Sequence, residues 1–500
     1  MTRHMTISGT GLADMTTDFS LSTLSQLPKH VSVPSYNRAD LSPGILHIGM
    51  GNFHRAHQAV YLDRLFDLGE GHDWAIVGAG VMPFDAERRA ALEAQDWLTT
   101  VVELSPGTYA ARVTGAMIDF CPIDPQAIIQ RIATPEIRIV SLTITEGGYF
   151  MDAASGTFDA AHLDIRHDAA TPDSPVTVFG ILLAGLRLRH ERGHPPPTIM
   201  SCDNIPENGR VTRQALCGLA GLVSEELRGW IMDQVAFPNS MVDRITPATS
   251  DAKRAMVLET FGINDAAPVV CEPFAQWVME DDFPLGRPDL EKVGVQFVDD
   301  ITAHETMKLR ILNASHAALS YPAALMGYDC VHEAVTDRDI ADWTLRLMKT
   351  EVIPVLAPIP GVDYQRYLAT CLARFGNAEV RDTIARLCQD GSNRQPKFIL
   401  PTITEALASG RPLDGLALEV ALWCRYCAES DVLDDPRAER LRDAARQARH
   451  RPAAFLDLSD VFGGLGQQER FAKAFARQVE AVWAGDVRSV LRGFLNGKAA

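Results

Sequence analysis

No stretch of this 500-residue chain approaches eighteen uncharged apolar residues, so no membrane-spanning helix is expected. Residues 1–24 include Arg3 and His4 but no continuous apolar core, which argues against a secretory signal; a disordered N-terminal tail and a cytoplasmic protein are expected. Positive charge is scarce. With 47 Lys and Arg against 64 Asp and Glu, the net charge is −17, which excludes the basic surface that a nucleic acid or an anionic membrane demands. Internal repeats and Ser/Gly/Pro tracts are absent, and near-half apolar content describes a folded globular chain. Nine cysteines, odd in number and scattered, make no disulfide framework. The one close pair, Cys424 and Cys427, lies in a helical pattern without a second ligand pair and reads as packing; no metal site is expected.

What is present is enough sequence for two large domains. Strand-like runs at Ile45–Gly49, Trp74–Gly78, Trp97–Val102, Ile137–Leu142, Thr198–Ser201 and Val269–Cys271 have helical stretches such as Asp124–Ala133 and Val178–Arg192 between some of them, which is the alternation of an α/β sheet. The alternation ends near Val298. From there Leu413–Glu429, Pro436–Arg449 and Gln468–Trp483 show apolar residues at three- and four-residue spacing, so the remainder is expected to be mainly α-helical. The expected organisation is a tail over 1–24, an α/β domain over 25–298 and a helical domain over 299–500.

Chemistry-bearing residues fall where such a sheet would use them. The first strand runs into Gly49-Met50-Gly51-Asn52-Phe53-His54, a shortened glycine fingerprint. Gly49 allows the tight turn, and Gly51 lets backbone approach a pyrophosphate at a helix expected to begin near Arg55. His54 replaces the third glycine, so strand and helix should pack less closely. Asp85, after the second strand, stands where an acid accepts from the adenosine ribose and repels a 2′-phosphate. Glu146 and Asn204 follow two further strand ends, and Asp243 stands beside Arg244, where a local pair and a wider role would look identical in sequence.

The run Lys308-Leu309-Arg310-Ile311-Leu312-Asn313-Ala314-Ser315-His316 organises the rest. At about 100° per residue, Asn313 falls roughly 140° and His316 roughly 80° from Lys308, so an amine, an amide and an imidazole can share one flank. Together they can take a proton, hold an alkoxide and bind a hydroxyl. The plainer alternative is a snorkelling lysine, a solvated asparagine and a core histidine.

This run resembles the catalytic helix of the polyol-specific long-chain dehydrogenases, the mannitol dehydrogenase family. Four other segments resemble family signatures in the same order: Gly49–His57, Ser141–Tyr149, Ser201–Gly209 and Phe237–Pro247. The resemblance implies a Rossmann-like dinucleotide-binding domain followed by a helical catalytic domain, a monomer, and NAD as cofactor held by Gly49, Met50, Gly51, Asn52, Phe53 and Asp85. It implies Lys308 as general base, Asn204 and Asn313 as the pair holding the reacting oxygen, and His316 on a hydroxyl. Asp243 would orient the lysine, Glu146 would exchange its proton with water, and Arg386 and Arg394 would bind the polyol. Arg394 stands where relatives can carry lysine, which alters hydrogen-bond geometry. For both arginines, capping of a helix end before Gly391 is the plainer role.

Such a lysine must ionise roughly two to three units below its ordinary value near 10.4, at a cost of about 3 to 4 kcal/mol. Burial in a cleft between domains would provide this. The segment Phe237–Asp243 is most similar to the mannitol type, so metal-independent interconversion of D-mannitol and D-fructose is the expected reaction. Arabinitol oxidation and fructuronate or mannonate reduction are the alternatives within the family. A non-catalytic nucleotide-binding protein would have no use for a proton acceptor at Lys308.

Overall fold

The structure, a computed structural model, describes residues 19–152 and 156–497. Two compact units divide the chain, one ending at Ile301 and the other beginning at Thr302. Of the expected tail, residues 1–18 lie outside the described residues. Residues 19–24 are not tail-like: Phe19 is buried among Leu98, Val102 and Leu104, and Leu21 N–H donates to Asp96 Oδ2 at 2.9 Å.

The first unit is built on a five-stranded parallel sheet of order β5-β2-β1-β6-β7, with β1 Pro43–Ile48, β2 Ala75–Ala79, β5 Met117–Phe120, β6 Ile139–Leu142 and β7 Thr198–Ser201. β2, β6 and β7 are buried along their whole length and β1 beyond Pro43, as parallel strands covered on both faces are, whereas the edge strand β5 leaves Asp119 partly exposed. The topology is Rossmann-like. Strand order reverses between β1 and β6, and the carboxyl ends flanking such a reversal form the ligand crevice of open α/β sheets.

The run at Trp97–Val102 is a strand but belongs elsewhere: β3 (Thr99–Ser105) pairs with β4 (Thr108–Thr114) and β9 (Val269–Cys271) in a second sheet. β4 escaped the sequence reading although Pro106-Gly107, with Gly107 at φ +73°, marks a hairpin. A third sheet joins β8 (Ser240–Asp243), β10 (Gln276–Glu280) and β11 (Gln296–Val298).

The second unit is helical throughout its described residues, apart from one isolated bridge between Cys330 and Thr383. Its core gathers Trp343, Trp423, Phe455 and Phe471. Cys424 and Cys427 are fully buried in the helix Asp414–Glu429, and burial pushes both thiols well up, out of the reactive range. No described helix is long and apolar enough to cross a membrane.

Candidate active site

In the first unit the chain leaves β1 at Gly49, which adopts φ +100°. A Cβ there would lie 2.0 Å from Thr143 O on the neighbouring loop, so only glycine fits. Thr143 Oγ1 donates to Gly49 O at 2.6 Å and closes the turn. Gly51 precedes the helix α1 (Asn52–Ala56), and a Cβ added to it would meet nothing nearer than Gly49 O at 3.9 Å. The helix starts at Asn52 rather than near Arg55. It breaks at His57 and continues as α2 (Gln58–Asp67). An open backbone approach at Gly51 beside a helix start is the cradle that a dinucleotide pyrophosphate needs, so these residues fit such a cofactor.

His54 does not loosen the packing of α1 on β1. Its ring stacks on His47 of β1, with centroids 3.4 Å apart and both rings buried. His47 in turn bonds Ser141 Oγ at 2.8 Å and Thr143 Oγ1 at 3.0 Å, and Ser141 Oγ donates to Gln58 at 3.0 Å. Burial pushes the His47 imidazole down to about 3 and His54 well below its usual range, so the stack is neutral and compact. Asn52 fixes the loop from the other side, donating to Pro247 O and Thr249 Oγ1.

Asp85 opens the helix α3 (Asp85–Glu93), one turn beyond β2. Its carboxylate folds back over the Gly80 loop, accepting from Met82 N–H at 3.0 Å and from Arg88 at 3.2 Å. Phe84 and Met82 stand exposed beside it.

The loops after β6 and β7, carrying Glu146 and Asn204, are joined by a residue the sequence reading passed over. Asp203 accepts Ile144 N–H and Thr145 N–H at 2.9 and 3.0 Å and the Tyr149 hydroxyl at 2.7 Å. Burial, the largest influence, raises its carboxyl despite these donors. Thr145 sits at φ +65°, an uncommon conformation for a β-branched residue, and Asp203 holds it there. Glu146 and Asn204 themselves are exposed. Asn208 then spans from β7 to β8, donating to Asp203 O and Ser240 O and accepting Ser240 N–H.

Asp243 ends β8, 7% exposed. The guanidinium of Arg244 goes to Ala56 O, Glu272 O and the Glu103 carboxylate, at 2.6, 3.1 and 2.6 Å. A simple pairing of neighbours is therefore not what fixes this arginine.

In the second unit Lys308, 6% exposed, begins a π-turn over Lys308–Asn313, between the helices Thr302–Met307 and Ala314–Leu325. Ala314 N–H reaches back five residues to Leu309 O. The regular α-helix assumed from sequence put Asn313 some way round from Lys308. With i→i+5 spacing the fifth residue returns to nearly the same side, so amine and amide share a flank more closely. His316 lies on the following helix, its ring 4.2 Å from that of Phe375. Glu305, buried one turn before Lys308, is a second acid the sequence reading missed. Its spacing of three residues on a helix was the available signal.

Arg386 and Arg394 come together, but each is also held locally. Arg386 binds Asp382 through two nitrogens, and Arg394 Nη1 donates to the carbonyls of Arg386 and Leu387, capping the helix Ile384–Cys388. Arg386 remains half exposed. Among the described residues no cluster of three or more His, Cys, Asp or Glu side chains could hold a metal ion.

Comparison with known proteins agrees along nearly the whole chain. Residues 43–292 match the mannitol dehydrogenase Rossmann domain and residues 300–483 the mannitol dehydrogenase C-terminal domain. The chain belongs to the mannitol dehydrogenase family and is an oxidoreductase of that type. It is 53% identical to the mannitol 2-dehydrogenase of Cereibacter sphaeroides, over 94% of this chain and all of that one. It superimposes on the Pseudomonas fluorescens mannitol 2-dehydrogenase ternary complex with NAD and D-mannitol with a TM-score of 0.84 and 44% identity, covering 96% and 99% of the two chains. A substrate-free D-sorbitol dehydrogenase gives a TM-score of 0.88 at 33% identity, covering 95% and 100%.

Proposed function

We propose that the protein is an NAD-dependent mannitol 2-dehydrogenase interconverting D-mannitol and D-fructose, with Lys308 as general base. The observation that carries this reading is the π-turn setting a buried lysine and an asparagine on one flank, in a chain 53% identical to a mannitol 2-dehydrogenase.

Bound NAD supplies the hydride acceptor. Gly49 to Phe53 would hold its pyrophosphate, and Asp85 would accept from the adenosine ribose and disfavour a 2′-phosphate. Lys308 takes the proton of the polyol hydroxyl as carbon loses hydride. The Asn204 and Asn313 amides donate to the oxygen as negative charge develops on it, a contribution of order 10²–10³ in turnover for one such donor. Asp243 orients the amine, and Glu146 passes its proton to water. His316 binds a hydroxyl, and Arg386 and Arg394 bind further along the polyol.

A panel of D-mannitol, D-sorbitol, D-arabinitol, D-fructose, fructuronate and mannonate with NAD(H) and NADP(H) tests the assignment. The expected outcome is the highest kcat/KM for D-mannitol with NAD and for D-fructose with NADH, unchanged by EDTA. A clear preference for fructuronate or mannonate would transfer the protein to the sugar-acid branch, with Arg394 as the carboxylate-binding cation. Activity lost to EDTA and restored by zinc would remove Lys308 from the base's role.

A further inference from the structure

Between Lys308 and Asn313 lies Arg310, 7% exposed, whose side chain is committed elsewhere. Its Nη1 donates to Thr402 Oγ1 at 2.6 Å and its Nη2 to Glu405 Oε1 at 2.9 Å, both on the helix Leu400–Ala408. Residues two apart on a helix point to roughly opposite sides. The guanidinium therefore anchors the back of the turn that presents Lys308 and Asn313 at its front.

A π-turn is a rare insertion within a regular helix, so the ordinary α conformation is the state it competes with. Relaxation would swing Asn313 to about 140° from Lys308, the ordinary α spacing. Arg310 opposes this rotation, since turning the backbone would draw its planar fork from a hydroxyl and a carboxylate and leave a buried cation poorly paired. Lysine could supply the charge but not the two-pronged geometry.

We propose that Arg310 is a positioning residue: clamped to Thr402 and Glu405, it sets the rotation of the π-turn and so holds Asn313 on the flank of Lys308, with its amide aimed at the reacting oxygen. The proposal rests on Lys308 and Asn313 acting as described above. Arg310 touches no reacting atom and acts through Asn313, which gives the test its form.

Arg310→Met, Arg310→Lys and Asn313→Ala are made singly, and Arg310→Met is combined with Asn313→Ala. Arg310→Met is expected to lower kcat about 10- to 100-fold, as a small misplacement at a reacting centre does, with NADH affinity within twofold of the parent. Arg310→Lys should recover part of the loss. On the Asn313→Ala background, where the amide is already gone, Arg310→Met should cost less than about threefold. A merely structural arginine predicts equal losses on both backgrounds, and that result, or an unchanged kcat in Arg310→Met, would overturn the proposal. If Arg310→Met does not fold, Thr402→Val combined with Glu405→Gln removes the clamp from the other side and faces the same two outcomes. Full activity in Lys308→Ala would instead overturn the underlying reading, whereas an inactive Lys308→Ala with a fully active Arg310→Met overturns only the clamp.

Discussion

Lys308→Ala is expected to lower kcat for D-mannitol oxidation by about 10²–10⁴-fold, the range contributed by a positioned general base. NADH binding, followed by fluorescence titration, should stay within twofold, because Lys308 is not among the residues assigned to the dinucleotide, Gly49 to Phe53 and Asp85. The split between lost turnover and preserved cofactor affinity is what assigns the lysine to chemistry. Asn313→Ala should show the same split with a smaller loss, since an oxyanion donor is removed while the base stays. Loss of NADH affinity in Lys308→Ala would mean that the lysine supports the fold or the cofactor. Undiminished kcat would mean that another group takes the proton.

The second large effect lies inside the helical unit and concerns stability. Glu419, on the helix Asp414–Glu429, is fully buried. Its Oε1 accepts from Gln395 Nε2 at 2.6 Å, while Oε2 has no hydrogen-bond partner. Burial pushes its carboxyl up to about 8, well above the ordinary 4.5. The folded protein therefore keeps this proton at pH values where the unfolded chain has released it. The contribution of this one group is whole below about pH 4.5 and is lost as pH rises towards 8, by roughly 3 kcal/mol at pH 7 at about 1.4 kcal/mol per unit.

Glu419→Gln keeps the acceptor for Gln395 and removes the titration. It should raise the melting temperature of the helical unit at pH 7 by roughly 6 to 12 °C, with the gain shrinking towards zero near pH 4.5. Scanning calorimetry of the full chain at pH 5, 6, 7 and 8 reads this directly. A pH-independent difference between the two proteins would show that Glu419 is ionised in the folded state.

Much of this molecule was legible in its sequence because its signals are local. The buried strands announce themselves as short apolar runs, and the helical half by regular three- and four-residue spacing. Gly49 is legible because a turn at φ +100° admits nothing else, and the mannitol dehydrogenase family because five segments keep their order. What stayed hidden depends on contacts distant in the chain. The assignment of β3 to a separate sheet is decided by its pairing with β9, about 170 residues away. His54 reads as a poor substitute for glycine until His47 is found stacked against it. Asp203 carries no local signal until its carboxylate is seen gathering Ile144, Thr145 and Tyr149. The π-turn is invisible to a rule of 100° per residue, and Arg310 looks like an ordinary surface cation before Thr402 and Glu405 come round to meet it.

The proposed chemistry depends on one amine reaching one oxygen, and a crystal structure of the chain with NAD and D-mannitol bound measures that. The expected result is Lys308 Nζ within about 3.2 Å of the mannitol C2 oxygen, with the Asn313 amide nitrogen within about 3.1 Å of the same atom. A lysine beyond hydrogen-bond reach, with another titratable side chain on that oxygen, contradicts it.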